Sequence, residues 1–102
     1  MDRIAMLTEI LAANPGDAFT RYGLAMEYSN AGKIDEALQQ FTTLLEKNPD
    51  YVPAYFMAAQ TLEKAGRVYE AKRMLVDGIS SARRSGNAHA QSEMTAMLEG
   101  LG

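Results

Sequence analysis

Few side chains in this 102-residue chain are of types that could carry chemistry. His89 is the sole histidine, and Glu93 follows it four positions on. On a helix that spacing places an imidazole and a carboxylate on one face. Such a pair could begin a metal site. A zinc site, however, takes three or four protein ligands, and no further residue at metal spacing joins the pair, so a solvated or capping histidine is the expectation. Ser80, Ser81, Ser85 and Ser92 have no His–Asp set to activate a hydroxyl. Ala31-Gly32-Lys33 lacks the upstream glycine and preceding strand of a phosphate loop. Arg83-Arg84-Ser85 could be phosphorylated, but a basic helix end before a loop serine is an ordinary arrangement. With no cysteine, neither a disulfide nor a thiolate can form. No set of groups can serve as acid, base and nucleophile together. The expectation is a protein with no catalytic centre, no metal and no cofactor.

Charge narrows the partners. The formal net charge is -3, whereas a nucleic-acid binder usually carries a clear basic excess. Lys72-Arg73 and Arg83-Arg84 lean basic, while Asp35, Glu36, Glu46 and Asp50 make the earlier part acidic; both read as solvated helix faces. No apolar run approaches the ~18 residues of a membrane span. The opening Met1-Asp2-Arg3-Ile4 lacks the charged and apolar regions of a secretory leader. A cytoplasmic protein that touches neither membrane nor nucleic acid is expected.

The surrounding elements are more informative than these side chains. Asn14-Pro15 recurs as Asn48-Pro49, Ala31-Gly32-Lys33-Ile34 as Ala65-Gly66-Arg67-Val68, and Glu36-Ala37 as Glu70-Ala71, each after 34 residues. A fixed period of this length marks a stacked array whose units cannot bury their apolar faces alone. Only helical patterning appears. Helices are expected over 2–13, 18–30, 34–47, 52–64, 68–84 and 88–99. Ile4, Leu7, Ile10 and Leu11 form the stripe of the first. Ala37, Phe41, Leu44 and Leu45 point inward on the third, and Ala71, Leu75 and Ile79 on the fifth. Met94, Met97, Leu98 and Leu101 form the stripe of the sixth. Asp17 can cap the second helix, and Pro53 sits in a first turn, where its missing N–H costs nothing. Gly78 lies mid-helix, where it costs about 1 kcal/mol against alanine unless it admits a close neighbour. Links of three or four residues force neighbouring helices antiparallel, giving three hairpin layers in an all-α stack.

These residues resemble the tetratricopeptide repeat (TPR) family in its small bacterial form. A repeat counted from Ala18 matches through Leu24, Ala25, Tyr28, Ala37, Phe41 and Pro49. One counted from Val52 matches through Tyr55, Ala59, Leu62, Ala71 and Leu75. Arg21 departs from the first aromatic position, Leu44 and Gly78 from the second small position, and Arg83-Arg84 from the closing proline. Beyond them the register slips by about two or three residues. The resemblance implies a right-handed α-α superhelix of about six helices. It divides the chain into a half-repeat helix (2–15), repeats over 18–51 and 52–85, and a capping helix over 87–101.

The family usually binds peptides or helices in a concave groove lined by the first helix of each repeat. Carried over position by position, that implies Phe19, Tyr22, Met26, Ser29 and Asn30, then Pro53, Phe56, Gln60, Glu63 and Lys64. Tyr22, Met26 and Phe56 would make an apolar centre, suited to a partner protein's apolar segment. Chaperone-binding members clamp a carboxylate with cations. The matching positions here are Tyr22, Met26, Phe56 and Gln60, which hold none, and Lys64 alone is no clamp. The implied function is a non-catalytic adaptor for a protein or peptide partner. The competing expectations are a homodimer or scaffold in which another copy covers the groove or the ends of the stack, and a groove covered by the chain's own last helix.

Overall fold

The computed structural model describes residues 2–102. Six helices follow one another: α1 (Arg3–Ala13), α2 (Ala18–Asn30), α3 (Ile34–Lys47), α4 (Val52–Lys64), α5 (Val68–Arg84) and α6 (Ala88–Gly100). Three begin on a side-chain cap. The carboxylates of Asp2 and Asp17 accept the N–H groups of Ala5 at 2.8 Å and Thr20 at 3.2 Å, and the Asn87 amide oxygen accepts that of Ala90 at 3.0 Å.

Two kinds of turn alternate through the first five helices. Asn14-Pro15 and Asn48-Pro49 end α1 and α3. α2 and α4 end on Gly32 and Gly66, at φ 76° and 78°, a left-handed conformation open to glycine at little cost. The next N–H, of Lys33 or Arg67, then reaches back to Tyr28 O or Leu62 O at 2.9 Å, closing the helix end. α5 changes the rule. It runs for 17 residues against 14 in α3 and ends on a glycine turn at Gly86, with Asn87 N–H bonded to Ala82 O. α6 therefore begins 36 residues after α4, where α4 began 34 after α2. This is the physical form of the register slip.

Each helix packs against the next, and α2, α4 and α6 also touch in turn, which makes them one face of the stack. Small residues set the close approaches: Ala25, Ala37, Ala59 and Ala71 are fully buried. Phe41, Leu44, Leu75 and Met94 fill the space between, also without exposure, each contributing about 1.5–3 kcal/mol by burial. Gly78 earns its place in α5. A Cβ there would stand 2.6 Å from both Met94 Sδ and Tyr55 Cβ, so α4 and α6 meet across it.

Two expectations need refining, both for identifiable reasons. Ile10 does not join a buried stripe with Leu11; it is 45% exposed. Its counterpart 34 positions on, Leu44, is buried among Ala25, Ala54 and Ala58 of the flanking helices α2 and α4, whereas α1 has a neighbour on one side only. Arg84 is not merely a solvated charge. Its guanidinium bonds Asp50 Oδ1 at 2.8 Å, and Ser81 Oγ donates to the same oxygen at 2.9 Å, tying α5 to the turn before α4. The two ends of the stack differ. α1 shows Met6 and Ile10, while α6 shows Gln91, Ser92 and Glu99 along a shallow polar hollow.

Candidate peptide-binding groove

On the α2–α4–α6 face lies a cleft of about 240 Å³. Tyr22 of α2 forms one wall, and Val52, Pro53, Phe56 and Met57 of α4 the floor and second wall. The third wall is α6 and its leading turn, through Asn87, His89, Ala90, Glu93 and Met94. The interior is mainly apolar. Tyr22 is held by two aromatic neighbours, with ring centroids 5.4 Å from Tyr51 and 6.5 Å, edge-on, from Phe41. Burial, and then the neighbouring Tyr51, push its phenol above the usual tyrosine range, so it stays a neutral hydroxyl at physiological pH. At the rim, His89 Nε2 lies 3.3 Å from Glu93 Oε1, with both side chains largely open to solvent. The arrangement can hold an apolar side chain and present a carboxylate beside it. Among the described residues no group of three or more His, Asp and Glu is placed to hold a metal ion.

The groove positions carried over from the family distribute unevenly. Tyr22, Pro53 and Phe56 come together at the cleft. Met26, one turn further along α2, instead packs half-buried against the core around Phe41. Ser29 is drawn into the scaffold, its hydroxyl 2.7 Å from Thr61 Oγ1 across α2 and α4. Asn30 lies by the start of α1, near the Arg3–Glu27 ion pair. Gln60 is half-buried, while Glu63 and Lys64 are exposed at the far end of α4. Phe19 stands 75% exposed at the start of α2, outside the cleft lining. Reasoning from the sequence considered the last helix as a cover for these side chains, but did not foresee it as a cleft wall with His89 and Glu93 on it. A signal existed: 36 residues beyond Pro53 and Met57 stand His89 and Glu93.

Comparison with known proteins accords with this architecture. Two family models, each described as Tetratricopeptide repeat, match residues 29–92 and 1–51. A TPR repeat-containing protein of Pseudomonas aeruginosa is 27% identical over 95 residues, covering 93% of this chain and 90% of the relative. The solution structure of a tetratricopeptide repeat domain protein from Salinibacter ruber superposes with a TM-score of 0.80 at 33% identity, covering 86% of this chain and 89% of that one. PcrH, solved in complex with the chaperone binding region of PopD, superposes at 0.88 with 18% identity, over 96% of this chain and 74% of its own. The chain belongs to the tetratricopeptide repeat family. None of its described helices is long and apolar enough to cross a membrane.

Proposed function

We propose that this chain is a non-catalytic adaptor that binds an apolar segment of a partner protein in the groove formed by α2, α4 and α6. The observation that carries this reading is the cleft itself, where Tyr22, Pro53 and Phe56 leave apolar surface accessible between three helices. The fold is compatible with the role, since PcrH shares it and is solved with the chaperone binding region of PopD. Capture from lysate tests the proposal. Wild type should retain a partner that a folded Tyr22→Glu/Phe56→Glu double variant loses; equal capture by both removes the groove from the function.

A second reading has its own observation. Met6 and Ile10 leave an apolar face on α1, 43% and 45% exposed, which a second copy could cover. Light scattering over a hundredfold concentration range tests it. A rising mass that Ile10→Glu abolishes favours the oligomer, and a constant monomer mass removes it.

A further inference from the structure

We infer that the cleft takes one large apolar side chain of its partner, and that Glu93 selects a lysine or arginine close to that anchor in the partner's sequence. The inference rests on the groove being a peptide-binding surface, and it names the chemistry of the peptide. Size sets the first half. A dry cavity of about 150 Å³ holds a benzene ring, so a cleft of about 240 Å³ has room for a leucine, methionine or phenylalanine side chain. The walls suit such a guest, because Tyr22, Phe56 and Ala90 offer apolar surface and the half-buried Met57 can adjust to differing shapes.

Charge sets the second half. Among the described residues lining the cleft there is no lysine or arginine, and Glu93 is the one carboxylate. Its side chain is 52% exposed, and the contact it makes is to His89 at 3.3 Å. A carboxylate at the lip of an apolar socket attracts a cationic neighbour of the anchor and repels an acidic one. The residue belongs to α6, so the terminal helix reads the charge while α2 and α4 hold the anchor.

The probe is a displayed library of random sixteen-residue peptides, selected in parallel on wild type, Glu93→Lys and Phe56→Ser. Peptides enriched on wild type should carry one Leu, Met or Phe with Lys or Arg within about a turn of it (about four residues). Glu93→Lys should keep the anchor and reverse the charge preference to Asp or Glu. For one enriched peptide, Glu93→Gln should weaken binding about threefold to fivefold, less at high salt. An apolar anchor with no basic preference, or the same preference on Glu93→Lys, overturns the role of Glu93 while the groove reading stands. Peptides enriched equally on Phe56→Ser would overturn the groove reading as well. Because Phe56→Ser could unfold, amide chemical-shift mapping on wild type supplies the same answer. Shifts at Tyr22, Phe56 and Ala90 support the cleft, and shifts confined elsewhere overturn it. Loss of peptide binding as protein concentration and mass rise together would place a second copy in the cleft and overturn the proposal.

Discussion

Arg21 and Tyr55 stand 34 residues apart and make the same contact with different chemistry. The Tyr55 hydroxyl donates to Pro49 O at 2.5 Å, and the Arg21 guanidinium donates to Pro15 O at 3.1 Å. In each case the acceptor is the proline carbonyl six residues upstream, in the turn that begins the helix. A phenol and a guanidinium thus fill the same brace position between a helix and its entry turn, because both carry a donor on a long planar group. Arg21 also bonds Gln40 Oε1 at 2.8 Å, linking α2 to α3.

Removing the brace should cost stability without disturbing the core. Tyr55→Phe keeps the ring and loses the hydroxyl, for a loss of about 0.5–1.5 kcal/mol. Arg21→Tyr can keep the brace but loses the bond to Gln40, for a loss of about 0.5–1.5 kcal/mol. Urea unfolding of both variants checks the pair. A Tyr55→Phe midpoint equal to wild type would show that the Ser81 hydroxyl, 3.2 Å from the same carbonyl, suffices.

The small residues should not tolerate enlargement. Ala37 is wholly buried where α3 meets α2, so Ala37→Leu is expected to lose about 1–3 kcal/mol by overpacking. Thermal unfolding measures it, and an unchanged midpoint would disprove the close approach.

Gly78→Ala sets two effects against each other. Alanine gains about 1 kcal/mol of helix propensity, but its Cβ would lie 2.6 Å from Tyr55 Cβ and Met94 Sδ. The Met94 thioether can swing away; Tyr55 Cβ is fixed to the backbone of α4. Net destabilisation of about 1–2 kcal/mol is expected, with part recovered in Gly78→Ala/Met94→Ala. A more stable Gly78→Ala would mean that α5 moves away from α4 and α6 at little cost.

Asp50 predicts an acid dependence. Hydrogen bonds from Arg84, and then Ser81, hold its carboxyl below the ordinary value of 3.8. A carboxyl depressed in the folded state stabilises the fold above its unfolded pKa, and that contribution disappears as pH falls through the folded one. The stability difference between wild type and Asp50→Asn should therefore be largest near neutrality and shrink below about pH 4. Asp17 and Glu70 are depressed as well, so the wild-type curve alone is not diagnostic. Urea midpoints of both proteins from pH 7 to pH 2.5 test the difference, and a gap that widens in acid contradicts the ion pair.

Residues that dictate backbone geometry made the fold legible in advance. Asn14-Pro15, Asn48-Pro49, Gly32 and Gly66 act through φ, ψ and missing donors within a few residues of themselves, so the helix limits could be read locally. Ile10 could not, because its exposure depends on what packs against α1. Tyr22 and Phe56 share a position one period apart, so their place on a common face could be read from the sequence. Met26 and Asn30 share the helix with Tyr22 but lie further along it, and neither lines the cleft. The register slip was legible but its exact size was not, because it depends on where the longer α5 ends, so His89 and Glu93 could not be matched to Pro53 and Met57 in advance.

The unlike ends of the stack give it a direction. A further helix laid on α1 would take Met6 and Ile10 out of water and gain free energy from doing so. The same helix laid on α6 would have to strip water from Gln91, Ser92 and Glu99 and replace their hydrogen bonds. An engineer wishing to lengthen this array could therefore graft onto α1 without changing an existing residue, but would first have to rewrite the outer face of α6.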